Sequence, residues 1–180
     1  MRYTLRTATT VDAMRLAQTA RGVDKREWED ATGLPFRDQI VAAVSSPGAM
    51  AYTVCHAGVS GSPPLLIWGV DFVSRHLGQI WMAASEQAVP LATSIHETMS
   101  PSLRLLDAAY PSTVAYADRR NSVHLVWLRR LGWEAQETIT IGPKGLPYTK
   151  FERLADVWTS PRRRLYGGGG NEFNRPAPSG

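Results

Sequence analysis

The first 45 residues switch from a strand-like to a helix-like spacing of apolar positions. Polar and apolar residues alternate over Tyr3–Thr7, which is the period of a β-strand. A hydroxyl cap at 9–10 then precedes apolar residues spaced as on one helix face. Further helical stretches follow at 24–30, which ends at Gly33, and at 35–44. We therefore predict a strand followed by helices that flank a sheet.

The pattern then changes to runs with the period of strands. Three such runs, at 51–56, 65–74 and 79–84, are separated by short links rich in Gly, Ser and Pro or by a four-residue turn. Three sequential strands with short links predict an antiparallel meander.

The second half of the chain predicts helix, strand, helix and two strands. Residues 86–109 have a helical pattern, and Pro90 and Pro101 are each expected to start or break a helix. The later elements are predicted as a strand at 113–117, a helix at 121–131, and strands at 133–141 and 148–154. The predicted fold is α/β (α+β), with a mixed central sheet flanked by helices over residues 1–155.

Composition agrees with one folded domain followed by a tail. The 180-residue chain has a net charge of +4, and its one cysteine, Cys55, sits in a strand pattern typical of a buried thiol. No apolar run reaches the roughly 18 residues of a membrane span. Residues 156–180 are rich in Arg, Gly and Pro and predict an extended arm. We expect this arm to bind a partner chain through Arg162, Arg163, Arg164, Tyr166 and Phe173.

The segment 116–134 carries a resemblance to a known family. It ends a strand at Asn121, continues as a helix that includes His124 and Trp127, and closes with Gly132 and an aromatic residue. This order resembles the second half of GNAT N-acetyltransferases and, more narrowly, the acetyltransferase-like internal virion proteins of short-tailed bacteriophages. The same residues also have structural reasons, since Asn121 can cap the helix and Gly132 can end it. The resemblance therefore implies the GNAT fold more strongly than the activity.

The resemblance implies that acetyl-CoA is held by backbone N–H groups of a glycine-containing loop after a central strand. The corresponding stretch, 84–92, has no glycine, and it carries Glu86 and Pro90. A carboxylate repels phosphate, and proline lacks an N–H donor. Should a cofactor bind, its contacts are expected at Asn121 and along this degenerate loop, at Gln87, Ala88, Val89 and Leu91. On this basis we expect no cofactor.

Few other side chains in the sequence are candidates for catalysis or metal binding. Where many family members have a tyrosine as general acid, this chain has Leu128, which leaves His124 as the candidate acid or base. Asp71, Glu27 and Asp30 can line a central cleft, although acidic residues more often lie on a solvated face. The remaining histidines lack metal-ligand spacing, so no metal site is predicted.

The sequence therefore favours a non-enzymatic role, namely a structural component of a tailed bacteriophage particle that docks through its arm. The expected partners are other virion proteins of the portal, tail or internal core, with several copies per particle, and the expected location is the virion after synthesis in the host cytoplasm. The alternative is an acetyl-CoA-dependent N-acetyltransferase. DNA binding is a lesser possibility, through a basic patch formed by Arg119, Arg120, Arg129, Arg130 and the arginines at 162–164.

Overall fold

The computed structural model describes residues 2–59 and 61–155. Seven strands form one sheet, and their bounds are β1 Tyr3–Thr7, β2 Met50–His56, β3 Leu66–Ser74, β4 Leu77–Ala84, β5 Ser112–Asp118, β6 Glu134–Ile141 and β7 Leu146–Leu154. The α-helices are α1 Thr10–Thr19, α2 Gly22–Thr32, α3 Phe36–Ser45, α4 Ala92–Ala109 and α5 Ser122–Arg130. A 3₁₀ helix over Glu86–Leu91 precedes α4. The predicted arm lies outside the described residues.

The sheet is mixed, as the sequence predicted. Its strand order is β1-β2-β3-β4-β5-β7-β6. Strands β1 to β4 pair antiparallel, which confirms the predicted meander, and β5, β7 and β6 pair antiparallel as well. The two halves meet at the parallel pair of β4 and β5. A parallel pair needs a crossover, and α4 supplies it.

Two apolar cores cover the two faces of the sheet. On β3, Trp68 belongs to the core beneath α4 and α5, whereas the adjacent Ile67 belongs to the core beneath α1 and α3. This alternation follows from the two-residue period of a strand. Cys55 is buried, as its pattern predicted.

Local signals set three of the helix ends. Thr9 caps α1 in a capping box, in which its hydroxyl accepts from Asp12 N and the Asp12 carboxylate accepts from Thr9 N. Gly33 ends α2 with a φ of 80°, a left-handed conformation that favours glycine. Asn121 caps α5 by accepting from His124 N at 3.3 Å.

One predicted break is wrong. Pro101 lies inside α4, which runs through it for 18 residues. A proline inside a helix removes one hydrogen bond and its ring crowds the carbonyl four residues earlier, at a cost of about 3 kcal/mol. The apolar face of Ile95, Met99 and Leu106 is buried against the sheet on both sides of Pro101, and this packing outweighs the lost bond. Among the helices described, none combines the length and hydropathy needed to span a bilayer.

Candidate functional site

The sheet splits at its centre. Strands β4 and β5 pair from Leu77 with Ser112 only as far as Ile80 with Ala115, although β4 continues to Ala84 and β5 to Asp118. We call this divergence the splay. Beyond it, each strand has backbone N–H and C=O groups without a strand partner, and buried backbone groups of this kind need hydrogen bonds from elsewhere.

Helix α2 and the residue before it supply those hydrogen bonds. Ala84 N donates to Asp24 Oδ2 at 2.9 Å, and Ala84 O accepts from Arg21 N at 2.9 Å. Asp118 N, on the opposite strand, donates to Glu27 Oε1 at 2.9 Å. Trp28 Nε1 donates to Met82 O at 3.3 Å. The two strands are therefore bridged by α2.

The bridging side chains belong to a buried polar cluster shared by α2 and the start of α5, which we call the splay cluster. Its members are Arg21, Asp24, Glu27, Asn121 and His124, and each is less than 9% exposed. Asn121 Nδ2 donates to Asp24 Oδ1 at 2.8 Å and to Glu27 Oε2 at 2.5 Å, and Asn121 Oδ1 accepts from Arg21 Nη2 at 3.1 Å. Arg21 Nη1 also lies 3.3 Å from Asp24 Oδ1. Buried charges are thus paired within the cluster.

His124 and Glu27 form its titratable pair. His124 Nδ1 lies 3.0 Å from Glu27 Oε1 and 3.2 Å from Oε2. Burial lowers the pKa of His124, but the charge and hydrogen bond of Glu27, helped by Asp24, outweigh burial and the opposing charge of Arg21. The net result is a raised pKa. Because an ionised carboxylate only accepts, Nδ1 is the protonated nitrogen, and Nε2 makes no hydrogen bond within residues 2–59 and 61–155.

A cleft of about 330 Å³ opens beside the splay on the α2 and α3 side of the sheet. His124, Glu27 and Tyr116 line it next to the splay, and Asp71 lies nearer solvent. Its aromatic lining consists of Trp28, Trp81, Tyr116 and Tyr148. The ring centroids of Trp28 and Trp81 lie 5.6 Å apart, and the two rings are packed edge to face. Carboxylates and aromatic faces together suit a cation.

Three contacts fix the cleft walls. Trp81 lies over Gly69 of β3, where a Cβ would overlap the Trp81 ring and lie 2.9 Å from Met50 O. Trp81 Nε1 donates to Asp71 Oδ1 at 3.1 Å, which holds the indole in place. On the other side, Tyr148 donates its hydroxyl hydrogen to Glu27 O at 2.7 Å.

Ion pairs tie α2 to the β6–β7 hairpin beside the cleft. Asp30 is paired with Lys144 and with Arg120, each at 2.6 Å, and Arg120 is also paired with Asp118. Hydrogen bonds from Lys144 and Arg120 lower the pKa of Asp30. Arg120, whose side chain is about half exposed, therefore takes part in an ion-pair network with Asp30 and Asp118. The same network occupies Asp30, which does not line the cleft as the sequence analysis allowed.

Comparison with known proteins agrees on the fold. No protein-family model and no curated protein matches the chain. Among solved structures, one assigned to the acetyltransferases has a TM-score of 0.67 at 14% identity and covers 94% of each chain. The fold is that of GNAT acetyltransferases. A GNAT acetyltransferase from Bacillus anthracis has a TM-score of 0.62 at 11% identity, covering 87% of this chain and 96% of its own. A mutant spermidine N-acetyltransferase from Vibrio cholerae has a TM-score of 0.60 at 9% identity, covering 90% of this chain and 98% of its own.

The GNAT fold implies acetyl-CoA as the cofactor. The side of the splay opposite the cleft, where the 3₁₀ helix precedes α4, is called the far side, and its residues do not fit acetyl-CoA. The predicted loop is a 3₁₀ helix that buries Ala88 and contains Pro90, and the Glu86 carboxylate accepts from Gly22 N at 3.3 Å. A groove of about 220 Å³ lies between the start of α4 and α5, lined by Ala92, Ser122 and Val126. The cavity where Arg21 meets Ala88 holds only about 10 Å³, no more than one water.

The candidate residues from the sequence divide clearly. His124, Glu27 and Asp71 line one cleft, whereas Leu128 is buried in the apolar core. Gln87, Ala88, Val89 and Leu91 lie in the 3₁₀ helix, where only Ala88 is buried, and Asn121 is hydrogen-bonded within the splay cluster. The arm residues Arg162, Arg163, Arg164, Tyr166 and Phe173 lie outside the described residues.

Sequence reasoning missed Arg21, Asp24, Trp28 and Trp81. A signal for part of this set was present, because Asp24, Glu27 and Asp30 are spaced three residues apart and so share one face of α2. All three are buried. Apart from Arg21, which pairs with Asp24 three residues away, their partners are remote along the chain and could not be recognised from the sequence.

Proposed function

We propose that the chain binds a primary amine in the cleft, in the manner of the acceptor site of an N-acetyltransferase. The observation that carries this is the Glu27–His124 pair placed beside the splay in an aromatic-lined cleft. An ammonium ion gains both Coulombic attraction from carboxylates and cation–π attraction from tryptophan. The names of fold neighbours, one of them a spermidine N-acetyltransferase, point in the same direction.

The chemistry available to the pair is proton transfer. An amine attacks a carbonyl carbon only after it has lost its extra proton, and a positioned imidazole can accept one. Glu27 holds the Nδ1–H of His124, which leaves Nε2 of the neutral ring as the acceptor. His124 therefore serves as general base above its raised pKa, and Glu27 is a positioning residue. Acetyl-CoA supplies an acyl group in this fold family, but the residues on the far side of the splay do not fit it. Proton transfer is therefore the one step assigned to these side chains.

A second candidate function is binding without chemistry, as a structural part of a larger assembly such as a phage particle. Two observations favour it. The cavity between Arg21 and Ala88 is only about 10 Å³, and the buried Leu128 stands where many family members have a catalytic tyrosine. Fold alone does not imply activity, because activity belongs to the site. In this case the amine would belong to a partner chain or to a small ligand that stabilises the assembly.

Calorimetry of the full chain with spermidine tests the amine site. We expect measurable binding, weakened about tenfold in Asp71→Asn, which loses about 1.4 kcal/mol of attraction to a cation. Glu97→Gln removes the same charge from an exposed position on α4 and serves as the matched control. Absence of spermidine binding, or equal loss in both variants, would contradict the proposal. Acetylated spermidine formed with acetyl-CoA present would decide between the two candidates.

A further inference from the structure

At the splay, β4 and β5 stop pairing after Ile80 and Ala115, and their facing edges continue without a ladder between them. An extended ligand with amide groups could add to such an edge as a strand does. Coenzyme A has an arm of this kind. The residues that would receive it are already bonded to the chain itself, at Ala84 N, Ala84 O and Asp118 N.

We infer that the splay cluster takes the place of a ligand in the splay, so that coenzyme A is not a ligand of these strand edges. The backbone segment at Arg21 acts as a short extra strand, since Ala20 and Ser85 form an antiparallel bridge and Arg21 N bonds to Ala84 O. Asp24 and Glu27 then satisfy the two amides with carboxylates. Each is a charge-assisted hydrogen bond, about twice as strong as a neutral one.

Displacement of the cluster is strongly unfavourable. A ligand would have to break both carboxylate bonds and displace Asp24, the buried carboxylate that pairs with Arg21, which is 7% exposed. An unpaired buried charge of this kind costs several kcal/mol. On the side of the cluster that Arg21, Ala84 and Ala88 line, the cavity is only about 10 Å³, which leaves no room for a ligand there. An acyl donor is therefore excluded from the splay.

Amide hydrogen exchange of the full chain tests the inference directly. We expect the Ala84 and Asp118 amides to exchange slowly without any ligand and to be unaffected by millimolar coenzyme A. In Asp24→Asn, which keeps the side-chain size but loses one carboxylate oxygen, the Ala84 amide should exchange about tenfold faster or more. Asp12→Asn is the matched control, since Asp12 is a buried carboxylate of α1 that does not contact β4.

Two results would overturn the inference. One is rapid exchange of the Ala84 and Asp118 amides in the wild-type chain, or exchange that Asp24→Asn leaves unchanged. The other is added protection of these amides by coenzyme A. Neither depends on the amine cleft, because spermidine binding is measured separately and involves Asp71. The inference and the proposed function can therefore fail independently.

Discussion

The two sides of the splay differ in what their residues do. On the cleft side, His124 and Glu27 line about 330 Å³ of space together with four aromatic residues. On the far side, Ala88 and Arg21 border a cavity of about 10 Å³. The splay cluster thus borders open space on one side and packed side chains on the other. Function must be argued for each side separately.

The largest expected loss of stability comes from removing Asp24, which contacts both β4 and Arg21. Asp24→Ala removes the carboxylate that bonds Ala84 N and pairs with Arg21, and it leaves that guanidinium buried and unpaired. We expect the free energy of unfolding to fall by about 3–5 kcal/mol. Urea denaturation of both proteins measures this. Asp12→Ala, whose partner Arg6 is half exposed, should cost less, and an equal cost would contradict the distinct role of Asp24.

A smaller effect is expected in the wall of the cleft. Gly69→Ala places a methyl group against the Trp81 ring and Met50 O, so the indole must move. We expect a loss of about 1–3 kcal/mol in stability, typical of overpacking, together with weaker spermidine binding. Gly22→Ala is the control, because its Cβ meets only the flexible end of Arg26 at 3.5 Å. Unchanged spermidine affinity in Gly69→Ala would show that Trp81 does not shape the site.

The sequence predicted the sheet better than the site. Strand alternation and the Thr9, Gly33 and Asn121 signals are local, so they could be recognised within a few residues. The contacts of Glu27 with Asn121 and His124 span 94 and 97 residues, and only the folded sheet brings them together. Pro101 shows the same limit in a helix, since tertiary packing rather than local propensity decided its place.

The pH dependence of stability sharpens the assignment of His124. Its pKa is raised in the folded chain above the ordinary 6.5, so protonation favours folding. The stabilisation is fully present below pH 6.5 and is lost as the pH rises through the folded pKa. The stability of the wild type relative to His124→Gln should therefore decline over that range. Guanidinium denaturation at several pH values measures it. A difference that is flat, or that grows as the pH rises, would contradict a His124–Glu27 ion pair.

The smallest effect is expected on the far side, at the 3₁₀ helix. Glu86 is exposed, and its bond to Gly22 N is 3.3 Å long, so Glu86→Gln should change stability by no more than about 0.5 kcal/mol. Removing this carboxylate also removes the repulsion of phosphate, yet coenzyme A should still not bind, because Arg21 and Asp24 continue to fill the splay. Glu86→Gly with Pro90→Gly is the stronger form of the same experiment. If calorimetry detects coenzyme A binding in that double variant, the loop alone excluded the cofactor, and the splay cluster is not what separates the two sides.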